Sequence, residues 1–184
     1  MIDLVFPNGN EDELSKMAER LGWNKVCFAY NFTTMADVKS KLKRTPSVVV
    51  ATQKNFMQAK FAKIILQKAE DDPLPTLKTG KIHGLIGIEK CKITQVHCKL
   101  AVENNIAFGL GLSGLLERSK SIDWIHRNSR LINKYKVPLI LGSFARNPYE
   151  IRSYHDLSGL FVTLGIDKGL VKKGFEFLEK CESQ

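Results

Sequence analysis

The stretch VPLILGSFARNPYEIRSYHDL, residues 137–157, begins as an apolar run and ends with two arginines, Arg146 and Arg152, on either side of a proline. A guanidinium group holds carboxylate or phosphate oxygens through a planar fork of donors, so two of them where a buried strand surfaces point to an anion. The amides that open the following helix add a field favourable to negative charge. Ser143, at the end of the same run, offers nearby backbone amides that could complete a small phosphate site with Arg146. A purely structural use is also open, with Arg152 paired to Glu150 or Asp156 and pinning the turn.

Chemistry beyond binding is harder to assemble. The segments that close the apolar runs read FPNGN, YNF, TQKN, IEKCK, LGLSG and GSFARN, which supply one acid, Glu89, and no histidine. His83 precedes a run and belongs to the opposite face, while His97, His126 and His155 sit in or beside helical stretches. Neither an HxH metal motif nor a carboxylate pair follows, and Ser143 lacks the G-x-S-x-G setting of a nucleophile elbow. No phosphate-binding glycine fingerprint is present, and GLGLSG (109–114) reads as a strand-end turn. The four cysteines form no CxxC pair. A metal site from Cys91, His97 and Cys98 is disfavoured because adjacent helical residues face different sides. The expectation is a protein with no catalytic residues and no metal or cofactor of its own.

The charge distribution supports an acidic partner. Net charge is +9; residues 38–69 hold eight basic side chains and no acidic one, and residues 118–152 hold eight against two. Five of the seven arginines, Arg118, Arg127, Arg130, Arg146 and Arg152, fall in the second region. Lysine suffices for solubility, so this concentration of arginine favours a polyanion contact. The lysine-rich region, with Lys54 and Lys60, reads first as a solvated face and second as part of the same contact. Arg127 and Arg130, three apart on one helical stretch, share a face.

These residues must be positioned by the elements around them. Apolar runs at 2–6, 25–30, 47–52, 84–89, 105–112 and 137–143 alternate with helical patterns at about 11–21, 36–42, 55–68, 94–104, 122–136, 154–164 and from 168 onward. Asn10 with Glu13, and Ser153 with Asp156, carry capping-box spacing; Asp167 is placed to cap the last helix, and Gly22 and Gly165 stand at helix ends. The segment 71–80, DDPLPTLKTG, reads as a loop. Unbroken apolar runs alternating with helices predict a parallel α/β fold in one domain, 1–184, and leave an open doubly wound sheet and a barrel both open. In either, ligands gather at the carboxyl ends of the strands. No run approaches the roughly 20 apolar residues of a membrane span. The first residues lack the basic start of a signal peptide, so the expected location is the cytoplasm.

At the arginine turn the chain resembles the p30 subunit family of ribonuclease P, called protein component 3 in archaea. The family shows a strand ending in a small-residue turn, then S-x-A-R, a proline and R-S-x-x-D-L. These are Ser143, Ala145, Arg146, Pro148, Arg152, Ser153, Asp156 and Leu157 here. LFVTLGI downstream, and QVHCKLAVENNIAFGLGLSGLLERSK with Arg118 upstream, are similar to family segments, and the likeness runs over about 82–166. It implies a TIM-like (β/α) barrel, shortened or incomplete, with six to seven parallel strands. It is similar in fold to metal-dependent phosphatase barrels, whose first strand supplies the HxH that IDLVFPNG lacks. It also implies a non-catalytic subunit that binds ribonuclease P RNA for 5′-leader removal from precursor tRNA. Mg2+ would be held through the RNA, and a small α+β protein subunit would pair with the chain as a heterodimer or a dimer of heterodimers. The RNA-facing candidates are Arg118, Arg127, Arg130, Arg146, Arg152, Lys54, Lys60 and Ser143. A barrel-type phosphoesterase acting without RNA, and a scaffold touching only protein partners, are the rival readings.

Overall fold

Seven apolar segments pair side by side in chain order, all parallel, so each connection returns the chain to the same end of the sheet. The computed structural model describes residues 1–32, 34, 36, 40, 42, 47–52, 58–69, 72–116 and 121–182. The strands are β1 (Ile2–Val5), β2 (Lys25–Asn31), β3 (Ser47–Ala51), β4 (Ile65–Lys68), β5 (Gly84–Ile86), β6 (Ala107–Gly111) and β7 (Leu139–Gly142). They form one parallel sheet in the order β1 to β7, with Val5 level with Phe28 at one end and Gly111 level with Gly142 at the other. The described helices are α1 (Glu11–Arg20), α2 (Leu74–Thr79), α3 (Gln95–Glu103), α4 (Leu112–Leu116), α5 (Ser121–Tyr135), α6 (Tyr154–Thr163) and α7 (Lys168–Glu182).

Sequential strand order would also suit an open sheet, but here the first and last strands meet. The Phe144 amide donates to the Leu4 carbonyl at 2.9 Å and the Phe6 amide to the Ala145 carbonyl at 2.7 Å. Asp3 on β1 accepts from the Ser143 amide and from the Ser143 hydroxyl, each at 2.6 Å. The sheet is therefore a nearly closed seven-stranded barrel. Helix α7 packs on β7 and β1. Its Leu178 joins the cluster that fills the barrel, with Ile2, Leu4, Val50, Leu66 and Ile140. A second cluster, including Val5, Leu14, Phe108, Leu141 and Phe175, lies between the outer face of the sheet and the helices. Side chains alternate between these two layers because a strand turns successive residues to opposite faces.

Three local expectations give way. The stretch expected as a helix over 55–68 holds a 3-10 turn, Gln58–Phe61, and then β4. Ile64 and Ile65 do fall on a helical stripe, but pairing with β3 on one side and β5 on the other satisfies the backbone of this segment while burying them. The expected loop 71–80 contains α2, with Pro73 at its N-cap, where a missing amide hydrogen costs nothing, and Gly80 in the left-handed conformation at its end. Asn10 stands at the N-cap of α1 but makes no capping bond there; its side chain is used elsewhere, as described below. The caps at Ser153 and Asp167 form as expected, through the Asp156 amide and the Gly169 and Leu170 amides. The helix expected over 36–42 lies largely outside the described residues.

Candidate nucleic-acid interface

The segment after β7 is held from every side. The Ser143 hydroxyl, besides its bond to Asp3, accepts from the Ala145 amide at 3.2 Å. Asn10 Nδ2 donates to the Arg146 carbonyl at 3.0 Å, and Trp23 Nε1 to the Arg152 carbonyl at 2.9 Å. Glu150 accepts from the Arg146 amide at 2.7 Å and from Asn147 Nδ2, while Asn147 Oδ1 accepts from the Tyr149 amide. Arg152 Nη1 donates to the carbonyls of Tyr149 and Ile151 at 2.7 and 2.8 Å. Arg152 thus pins its own turn, through carbonyls rather than through Glu150 or Asp156. Both bonds use one terminal nitrogen, and the Arg146 and Arg152 side chains belong to exposed residues.

Packing explains why the small residues upstream are needed. Phe144 adopts a left-handed φ of 53°, and its ring lies across the barrel mouth edge-on to Phe6. A Cβ on Gly111 would stand 2.1 Å from that ring, and one on Gly114 would stand 1.9 Å from Glu89 Oε1. The glycines of GLGLSG therefore admit a ring and a carboxylate by their lack of a side chain. Ser113 locks the two segments together: its amide donates to the Ser143 carbonyl and its hydroxyl to the Phe144 carbonyl.

Two clefts share Arg146. The barrel mouth is a cavity of about 550 Å³ rimmed by Asn8, Tyr30, Lys68, Lys90 and Arg146, with the buried Glu89 in its wall. Beside it, a cleft of about 300 Å³ runs between α4 and the 3-10 turn Pro148–Glu150, lined by Leu112, Leu116, Tyr149 and both arginines. Three cations among the described residues around one mouth, beside a rigid turn carrying a second arginine, make a surface suited to phosphate oxygens.

The residues singled out from sequence divide by position. Arg146 and Arg152 are brought to one cleft. Arg127 and Arg130 are exposed on the outer face of α5, away from both clefts, with the Arg127 guanidinium 5.7 Å from the Trp124 ring centre. Ser143 is fully buried, its hydroxyl and amide engaged by Asp3, so it serves barrel closure and presents nothing to a ligand. Lys60 lies in the 3-10 turn Gln58–Phe61, and Lys54 and Arg118 lie outside the described residues. Sequence reasoning overlooked Lys68, hidden in a segment taken for a helix, and Lys90. It also overlooked Asp3, although a lone acid within IDLVF was a visible signal. Burial pushes the Asp3 carboxyl up to about 7, against the opposing effect of the Ser143 bonds. His97 is used locally: it forms a capping box with Thr94 at the start of α3 and lies 3.5 Å from Asp72.

Fold and site define a nearly closed parallel barrel whose mouth and adjoining turn are cationic. The model of the family described as RNase P subunit p30 matches residues 85–180, and the chain belongs to that family. It is 29% identical over 84 residues to ribonuclease P protein component 3 of Methanocaldococcus jannaschii, a match covering 43% of this chain and 36% of that relative's length. In fold it is similar to a chain in the cryo-EM structure of archaeal ribonuclease P with mature tRNA. That superposition has a TM-score of 0.78 at 21% identity and covers 100% of this chain and 90% of the other.

Proposed function

We propose that the chain is a protein subunit of ribonuclease P that binds the phosphate backbone of the catalytic RNA and supports 5′-leader removal from precursor tRNA. One observation carries this reading within the family: a turn braced by five side chains, Asn10, Trp23, Asn147, Glu150 and Arg152, exposes Arg146 and Arg152 beside a mouth rimmed by Lys68 and Lys90. Rigid placement matters because a preformed cation surrenders little side-chain freedom on binding. Neutralising phosphates that the RNA fold crowds together releases condensed counterions and lets the RNA adopt its active shape with less Mg2+. In this reading the metal ions are the RNA's and the protein supplies fixed charge. A small α+β subunit pairs with the chain as its protein partner.

Binding to ribonuclease P RNA, measured across a salt series, tests the reading. The wild-type protein should bind with an affinity that falls steeply with salt, and Arg146→Ala with Arg152→Ala should reduce the log–log slope by about 1 per arginine. Wild-type affinity indifferent to salt, or a double variant with the wild-type slope, would refute it.

A further inference from the structure

Tyr149 is the most exposed large hydrophobic residue among those described, at 82%, and Leu116 across the same cleft follows at 75%. Tyr149 is not on a loose loop. Its amide is bonded to Asn147 Oδ1 and its carbonyl to Arg152 Nη1, inside a 3-10 turn that begins at Pro148. A rigid turn that holds an aromatic ring in water gains nothing for folding, whereas a ring fixed in advance is a strong contact for a partner. Its neighbours indicate the partner's chemistry. Arg146 and Arg152 line the same cleft and favour an anion, while Leu112 and Leu116 form an apolar wall. Among the described residues of the cleft the one acid, Glu150, is turned into the loop by the Arg146 amide and Asn147 Nδ2. At about 300 Å³ the cleft is at the small end of ligand sites.

An apolar slot with an aromatic face and flanking guanidinium groups suits one planar base joined to a phosphate. A base-paired duplex does not supply this, because the faces of its bases are stacked inside and only backbone, 2′-hydroxyls and base edges meet a protein surface. We infer that this cleft receives a single unpaired nucleotide of RNA, its base on Tyr149 and its phosphate at Arg146 and Arg152. The inference rests on the RNA-binding reading above and narrows it from backbone neutralisation to capture of an extruded base.

The test compares a fluorescently labelled single-stranded RNA of mixed sequence with a duplex RNA of the same length, using the full chain. Tyr149→Ala should weaken single-strand binding about tenfold, leave duplex binding unchanged and leave the salt slope intact, since a stacking contact is lost and no phosphate contact. Tyr149→Trp should restore the affinity. Arg146→Ala with Arg152→Ala should weaken both probes and lower the salt slope. Equal loss on the two probes with Tyr149→Ala, or none on the single strand, overturns the inference and gives the ring to a protein contact. If the arginine variant still loses affinity, the RNA-binding reading survives that result. Wild-type protein that binds neither probe removes both readings together.

Discussion

Asp3 and Ser143 are 140 positions apart and share two short hydrogen bonds across the seam of the barrel. A carboxylate there has no solvent, so desolvation holds its pKa at about 7 in the folded protein against an ordinary value of 3.8. The sign of the consequence follows directly. Between those two values the unfolded chain has lost the proton and the folded chain keeps it, so stability falls as pH rises through this window. Above about 7 both states are ionised and the full cost of a buried charge is present. Asp3→Asn keeps an acceptor for the Ser143 amide and removes the titration. Its stability relative to wild type should therefore improve between about pH 5 and pH 8, by on the order of 2 kcal/mol. Urea unfolding midpoints of both proteins at the two pH values measure this; a constant difference would mean that Asp3 does not titrate in that window. At the same scale the arginine pair was legible, because residue type, spacing and the flanking proline all lie within a few positions. The engagement of Ser143 was not, because its partner is at the other end of the chain.

At the scale of elements, the GLGLSG segment, expected as a strand-end turn, is instead the point where β6 passes directly into α4, and its glycines answer to packing. Gly111 ends β6 where the Phe144 ring crosses the mouth, and Gly114 leaves room for Glu89. Gly111→Ala should displace Phe144 from its place against Phe6 and destabilise the fold by roughly 1–3 kcal/mol, the usual range for overpacking a tight site. Thermal unfolding would show it, and an unchanged midpoint would mean that the ring moves aside freely. Two helices were legible from their caps, Ser153 opening α6 and Asp167 opening α7, whereas the Thr94 capping box of α3 has a histidine where an acid or amide would have marked it. The strand β4 was not, since four residues with two paired neighbours need no sequence period of their own, and Ile64, Ile65 and Lys68 satisfy a helical spacing equally well. Asn10 illustrates the same limit: a capping residue by type, it anchors the arginine turn through the Arg146 carbonyl instead.

At the scale of the whole molecule, closure turns separate local features into one surface. The run of parallel strands predicted an α/β fold, but only the meeting of β1 with β7, with α7 laid against both, brings the loop after β1 alongside the loop after β7. Lys68 from β4 and Lys90 from the segment after β5 then face Arg146 across the mouth, although they are far apart in sequence. Part of the chain's net charge of +9 thus meets at the carboxyl ends of the strands. We propose that this surface acts on RNA. Its most direct test is precursor-tRNA cleavage by ribonuclease P RNA at limiting Mg2+, with the RNA alone, with this chain and a small α+β ribonuclease P protein subunit, and with the pair carrying Arg146→Ala and Arg152→Ala. Rescue of cleavage by the wild-type pair and not by the variant pair is the predicted result. Equal rescue by both, or cleavage by the proteins without RNA, would contradict the account.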